Sequence, residues 1–198
     1  MKKNLTHIGP LFLLLCCLLF PSGIFAQENS LNYNQDAYYG VKAGINFAEL
    51  WGEDALPESD RKVGYSIGVY GTYKISKNLK FQPEVIWSLQ GENSEKSGRY
   101  KISYINIPLM LKWSEGSFYY ELGPQLGLLT ISTAESVPEE LKLKDFETFD
   151  FSLNAGFGYQ VAEDWTIGLR YSQGISNIVS NRDLKNSVIY VGVAYQLF

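Results

Sequence analysis

Residues 188–198 at the end of the chain read VIYVGVAYQLF, and their side chains alternate in character. The even positions include Gly192, Ala194 and Gln196. The odd positions are all apolar: Ile189, Val191, Val193, Tyr195 and Leu197. An apolar side chain at every second position is typical of a β-strand with one apolar face. The fold and the function both depend on what that face contacts, a protein core or lipid.

The same alternation recurs along the chain. It is clear in VGYSIGVYGTYKI (63–75) and in LKFQPEVIWSLQ (79–90), which only three residues separate, as in a tight hairpin. Applied to the whole chain, the pattern predicts eight strands, at about 39–48, 63–75, 79–90, 100–113, 118–129, 150–161, 165–174 and 187–197.

The predicted connections alternate between long and short. The short ones are 76–78, 114–117 and 162–164, and the longer ones are 49–62, 91–99, 130–149 and 175–186. Short turns then lie at one end of an antiparallel up-and-down sheet, and loops lie at the other.

Strand length and side-chain chemistry favour lipid as the solvent of the apolar face. Strands of about ten residues match the ~9–11 residues that cross a bilayer at a tilt, whereas soluble strands usually have about 5–6. Aromatic residues occur near the ends of the segments, where membrane interfaces should lie: Trp87, Trp113, Trp165, Tyr73 and Tyr195. The opposite face carries small or ionisable residues, the latter being Lys42, Lys74, Lys80, Glu84, Lys112, Glu121 and Arg170.

A soluble sandwich or a lipocalin-like barrel would also alternate. In a soluble barrel, however, the apolar face would have to fit inside, and it is too large and too aromatic for the narrow interior of eight strands. We therefore predict an all-β protein, a transmembrane antiparallel up-and-down eight-stranded β-barrel, because closure pairs every backbone group in hydrocarbon.

Charged residues inside such a barrel must be paired. We expect Glu84 and Glu121 each to contact a lysine or an arginine in a structural network, with an acid–base role as the alternative. The other long inward side chains include Tyr104 and Met110, so the lumen should be blocked. For Pro108 and Pro124, which fall within strands, we expect local bulges.

The N-terminus has the features of a secretory signal peptide. Lys2 and Lys3 precede an apolar run, residues 11–20, and Ala26 is a small residue at a suitable cleavage position. The run is shorter than the roughly 20 residues of a spanning helix, and Cys16 and Cys17 lie inside it rather than at a lipoprotein cleavage site. We predict a signal peptide at 1–26, a flexible periplasmic leader at 27–37 and a barrel domain at 38–198.

Cleavage there would change the chemistry of the chain. Of 17 basic and 21 acidic side chains it removes two lysines and no acid, leaving a formal net charge of −6 that disfavours nucleic acid as a partner. It also removes His7, Cys16 and Cys17, the only histidine and the only cysteines. We therefore expect no disulfide, no metal site built from Cys and His, no cofactor and no catalytic residues.

Four segments resemble a known family: SYINIPLMLKW (103–113), FYYELGPQLGLLT (118–130), DFSLNAGFGYQV (150–161) and the closing strand. They resemble the outer-membrane β-barrel group labelled porin family or PorT-like, of the OmpA/OmpX type. The resemblance implies a Gram-negative outer-membrane protein that the barrel-assembly machinery inserts through its C-terminal strand. It implies no catalytic residues. One departure is that Leu197, not the terminal Phe198, takes the lipid-facing place after Tyr195.

These features favour a non-enzymatic integral outer-membrane protein, monomeric, with a plugged lumen and loops for structural or interaction roles. The loops 49–62, 130–149 and 175–186 are candidate contacts for an extracellular ligand or partner. We interpret the acidic 130–149 segment as a solvated loop, since its carboxylates lack the spacing of a calcium loop. In 175–186, Ile175, Ile178 and Val179 could form a binding edge. The alternatives are a passive small-solute pore and a soluble exported ligand-binding barrel.

Overall fold

Eight antiparallel strands form a closed barrel in the computed structural model, which describes residues 37–53, 62–90, 99–135, 147–178 and 183–197. The strands are β1 (Ala37–Trp51), β2 (Lys62–Lys74), β3 (Leu79–Gln90), β4 (Arg99–Glu115), β5 (Phe118–Glu135), β6 (Phe149–Gln160), β7 (Trp165–Gly174) and β8 (Lys185–Gln196). Each strand pairs with the next, and β1 pairs with β8 to close the sheet. The predicted all-β up-and-down eight-stranded fold is confirmed.

The N-terminal predictions lie largely outside these residues. The signal peptide at 1–26 and the leader as far as residue 36 are not described. The first strand begins at Ala37, the last residue assigned to the leader. No helix in the described part of the chain is long and apolar enough to cross a membrane.

The barrel has two different ends. Short turns at 75–78, 116–117 and 161–164 share one end with the start of β1 and the end of β8, which we call the turn end. At the other, the loop end, β4 and β5 are 17 and 18 residues long and stay paired as far as Arg99 and Glu135. The expected boundaries of loop 130–149 are therefore wrong. The backbone pairing of β4 with β5 continues beyond the apolar stretch from which the fifth strand was predicted.

Side chains alternate between an exposed outer face and a buried inner face. Ile67 of β2 and Tyr120 of β5 are each 58% exposed, and apolar residues cover the outside of the barrel at both ends and between them. The inner face is mainly polar, with 15 buried polar or charged side chains among the described residues. This arrangement is the reverse of a soluble core and suits a lipid environment.

Aromatic residues form the expected groups near the ends of the outer face. At the turn end the rings pair edge to face or tilted, in Tyr39–Tyr73, Phe118–Tyr159 and Trp165–Tyr195. Towards the loop end, Tyr65 packs against Trp87 with ring centroids 5.7 Å apart. Tyr and Trp prefer the membrane interface because one part of each ring is apolar and the other binds water.

The predicted bulges at Pro108 and Pro124 are wrong. The register of β4 with β5 is the same on both sides of these prolines, and its shift lies instead between Ser103 and Tyr104. Pairing is interrupted only beside each proline, since proline has no N–H to donate. A barrel therefore tolerates the missing hydrogen bonds without a change of register.

The β7–β8 hairpin corrects the expectation for Ile178. Its backbone N–H donates to Leu184, and the two side chains, 3% and 6% exposed, pack together against Leu50. Ile178 is therefore buried and forms no exposed binding edge, whereas Ile175 is 61% exposed. Val179 lies outside the described residues.

Candidate functional site

The site lies in the lumen, where four strands each contribute one charged side chain. Lys42 of β1, Glu84 of β3, Glu121 of β5 and Arg170 of β7 point inward, and we call them the lumen cluster. Each occupies an inner-face position of its strand, and they are 8%, 0%, 7% and 4% exposed, respectively. Every second strand therefore contributes one charged side chain, and in a narrow barrel these four side chains meet at one height along the barrel axis.

Arg170 is the centre of the lumen cluster. Its Nη1 and Nη2 donate to Glu84 Oε2 and Oε1 at 2.9 and 2.8 Å, and its Nε donates to Glu121 Oε1 at 2.6 Å. Lys42 Nζ lies 3.1 Å from Glu84 Oε2. Bidentate arginine–carboxylate contacts are among the strongest side-chain hydrogen bonds, and here they link β7 to β3 across the barrel.

Neutral side chains extend this network. Gln82 Nε2 donates to Glu84 Oε1 at 2.7 Å, and Thr72 Oγ1 donates to Gln82 Oε1 at 3.0 Å. Glu84 therefore accepts from an arginine, a lysine and an amide while it is fully buried. The expectation that Glu84 and Glu121 lie against a lysine or an arginine is confirmed.

The lumen cluster has no net charge, since two cations face two carboxylates. Buried charges cost free energy unless partners and hydrogen bonds replace water, and this geometry supplies both. Both carboxylates are bound to fixed cations, so the arrangement holds the strands together and offers neither carboxylate as a free base.

Inward tyrosines lie flat against glycines in the wall. A side chain at Gly44 or Gly192 would overlap the ring of Tyr190, and one at Gly158 or Gly168 would overlap Tyr119. Tyr190 Oη also donates to the carbonyl of Ala43 at 3.1 Å. The glycines therefore make room for rings that fill the lumen beside the lumen cluster.

The loop half of the lumen is lined mainly by uncharged polar side chains, with the buried carboxyl of Asp150 among them, a feature that was not predicted from the sequence. Asn46 Nδ2 donates to Ser88 Oγ at 2.8 Å, and Asn154 Nδ2 donates to Gln125 Oε1 at 3.2 Å. The signal was present, because each of these side chains occupies an inner-face position. The prediction of inward side chains rested mainly on ionisable residues and therefore did not include these amides and hydroxyls.

The remaining inward residues also lie where they were predicted. Tyr104 and Met110 are 3% and 0% exposed. Lys112 Nζ lies 3.8 Å from the centroid of the Tyr119 ring, a cation–π contact. Lys74 and Lys80 lie closer to the turn end, Lys74 exposed and Lys80 half-buried.

Two cavities lined by described residues lie on either side of the level of Arg170 and Tyr190. The larger, about 160 Å³, occupies the turn half, and the smaller, about 40 Å³, occupies the loop half. Arg170 and Tyr190 line both, so they lie at the boundary between them.

The acidic residues at 130–149 do not assemble a metal site in the part of the chain that the structure describes. No group of three or more His, Cys, Asp or Glu side chains there is close enough to hold a metal ion. Asp150, directly after this segment, belongs to β6 and is 5% exposed, and Ser176 Oγ donates to its Oδ1 at 3.1 Å. Residues 136–146 lie outside the described chain.

Comparison with solved structures shows the same architecture in other outer-membrane proteins. The chain is similar to Neisserial surface protein A, with 15% identity, a TM-score of 0.57, and coverage of 81% of this chain and 99% of that one. It is also similar to Ail, the attachment invasion locus protein of Yersinia pestis, with 12% identity, a TM-score of 0.52, and coverage of 82% and 99%. At these identities the likeness concerns the fold.

The sequence itself identifies the family. No curated protein matches the chain. Residues 25–180, however, match the family described as outer membrane protein beta-barrel domain. The match covers the barrel from its first strand into the last loop and agrees with the lipid-facing outer surface. This chain is therefore a member of the outer-membrane β-barrel domain family, and its barrel lies in the outer membrane.

Proposed function

We propose that this protein is a non-enzymatic outer-membrane barrel with a closed lumen, whose loops serve structural or interaction roles. One observation carries the proposal: Arg170 binds Glu84 bidentately from the opposite side of the barrel and also binds Glu121. These contacts hold buried side chains across the lumen, where an open pore would need a continuous column of water. These contacts, together with two lumen carboxylates that are already bound to cations, support a role outside the lumen.

A passive small-solute pore is the alternative for the lumen. Open aqueous channels belong to barrels of roughly 16 or more strands, and eight strands enclose little more than their own side chains. The soluble exported barrel considered from the sequence is wrong, since the family is one of outer-membrane barrels.

Planar bilayers test closure directly. The purified protein is expected to show at most small, rare openings, because the lumen cluster spans the interior. Glu121→Gln should raise the frequency of openings, since an amide holds the Arg170 guanidinium less strongly than a carboxylate does. Glu115→Gln, which changes an exposed carboxylate at the turn end, is the matched control and should leave the recordings unchanged. A large, steady ohmic conductance in the unmodified protein would refute the closed lumen.

The connections between β1 and β2, between β5 and β6, and between β7 and β8 are proposed to face the cell exterior and to meet an extracellular ligand or partner. The short turns would then face the periplasm, where a signal peptide would deliver the chain and the assembly machinery would insert it as a monomer. The family and the alternation of loop lengths support this orientation.

Trypsin added to intact cells tests the orientation. Cleavage is expected after Lys142 or Lys144 and not after Lys77, because only the former would lie outside the membrane. After the outer membrane is permeabilised, Lys77 in its exposed turn should become accessible. Cleavage at Lys77 in intact cells, with protection of Lys142 and Lys144, would invert the topology.

A further inference from the structure

Three lysines of the inner face lie side by side at the turn end. Lys74 of β2 is directly opposite Lys80 of β3, and Lys80 is directly opposite Lys112 of β4. We call these residues the lysine row. Directly opposed residues have Cβ atoms about 4.5–5.5 Å apart, and like charges in such pairs are destabilising. The barrel therefore holds three cations together at a cost in stability.

No carboxylate forms a close ion pair with the lysine row in the described structure. Among the described residues, no ion pair within 4.0 Å joins any of the three amines to an acid. Glu121 is opposite Lys112 in the sheet, but it binds Arg170, and Lys112 lies instead over the Tyr119 ring. Because Glu121 is shared with Arg170 of the lumen cluster, it offsets the charge of the row only in part.

Two of the three lysines border the larger of the two cavities. Lys80 and Lys112 line this space of about 160 Å³ on one wall, beside the hydroxyl-bearing side chains of Thr72 and Ser114. Glu163 and Asp164 line it from the β6–β7 turn, across the barrel from β2–β4. One water needs only ~10–15 Å³ of such space, so the cavity has room for a polyatomic anion with its waters.

We propose that the lysine row and this cavity form a binding site for a phosphate group. Each lysine amine offers three N–H donors and a compact charge, which suits phosphate oxygens. Free phosphate or a phosphomonoester carries more than one negative charge near neutral pH and so offsets several lysines at once, which a chloride ion cannot do. The group can belong to free phosphate or to a phosphomonoester lipid headgroup, such as that of phosphatidic acid, at the turn-end membrane surface. The proposal is independent of lumen closure, because the site opens at the turn end.

Calorimetric titration in phosphate-free alkyl glucoside micelles, at constant ionic strength in chloride, tests the site. Inorganic phosphate is expected to bind saturably to the full barrel and to raise its unfolding temperature. Lys80→Gln should weaken binding about tenfold or more, since it removes a charge-assisted hydrogen bond. In phosphate-free buffer the same variant should unfold at no lower a temperature than the unmodified protein, because a repulsion has been removed.

The control is Lys77→Gln, which removes the same charge from an exposed turn at the same end, outside the cavity. It should leave phosphate affinity unchanged. If Lys80→Gln does not fold, Lys112→Gln carries the same expectation.

A second titration, with phosphatidic acid mixed into the micelles, distinguishes the two sources. Lipid binding that requires Lys80, without a response to inorganic phosphate, would assign the headgroup. The absence of a saturable response to either probe would overturn the proposal, as would an equal loss of affinity in Lys77→Gln and Lys80→Gln.

Discussion

Replacing Arg170 with methionine is expected to lower the free energy of unfolding by about 3–5 kcal/mol, the usual effect of removing one partner from a buried ion pair. The substitution keeps an unbranched side chain of moderate length but leaves Glu84 and Glu121 with Lys42 as the remaining cation of the lumen cluster. Both carboxylates are buried, so water cannot replace the lost contacts. Urea unfolding in micelles, followed by the heat-sensitive shift in gel mobility, measures the loss.

Lys185→Met is the matched control for Arg170→Met. Lys185 also pairs with an acid, Asp183, but this pair lies at the loop end and is partly exposed. Because water and salt screen a surface pair of this kind, its loss should change the stability far less than the loss of Arg170 does. If the two variants were equally stable, the lumen cluster would have no special role in holding the barrel together.

Val69→Arg is expected to destabilise the inserted barrel by about 2–4 kcal/mol, the cost of an arginine on the lipid face near the bilayer midplane. Val69 lies at the middle of β2, opposite Val41 and Val85, and is 38% exposed on the outer face. Folding into phosphatidylcholine vesicles at increasing urea concentration, scored by gel mobility, gives the change.

Val63→Arg makes the same substitution on the same face of the same strand, at its loop end. Near the interface such a change should cost only about 0–1 kcal/mol, because the side chain reaches water. Equal effects at Val63 and Val69 would contradict the assignment of the outer face to lipid.

The number and positions of the strands could be predicted because lipid imposes a strict rule. The outward residues must be apolar over the hydrocarbon thickness, and the backbone must close on itself. The alternation in residues 63–75 and 188–198 therefore predicts strands, and the strand length and the aromatic residues favour lipid over a soluble core. That rule applies only within the membrane. It therefore could not predict that β4 and β5 stay paired as far as Arg99 and Glu135, or that Ile178 is buried, because these features lie outside the hydrocarbon.

The members of the lumen cluster could be predicted, but their pairing could not. Alternation placed Lys42, Glu84, Glu121 and Arg170 inside, which is correct. Which of them meet depends on the tilt and stagger of the strands, and these bring together residues on strands that are not neighbours. Arg170 of β7 and Glu84 of β3 are on opposite sides of the closed sheet, so no rule for adjacent residues or adjacent strands could have joined them.

Tyrosine packing was missed for a related reason. Glycine in a strand usually weakens it, so the many inward glycines offered no positive signal. Their role depends on a partner in another strand or two residues away, as with Tyr119 over Gly158 and Gly168 and Tyr190 beside Gly192.

The outer face gives the protein a built-in optical probe of its own insertion. All four tryptophans, Trp51, Trp87, Trp113 and Trp165, belong to outward positions, whereas Tyr70, Tyr104, Tyr119 and Tyr190 belong to the inner face. Indole emission therefore reports on the bilayer and not on the lumen. Trp113 and Trp165 lie at the turn end, Trp87 lies further towards the loop end, and Trp51 lies further still, at the loop end of β1. Lipids brominated at different carbons along the acyl chain would therefore quench the turn-end pair differently from Trp87 and Trp51. Entry of each end of the barrel into the bilayer can thus be timed without any added label.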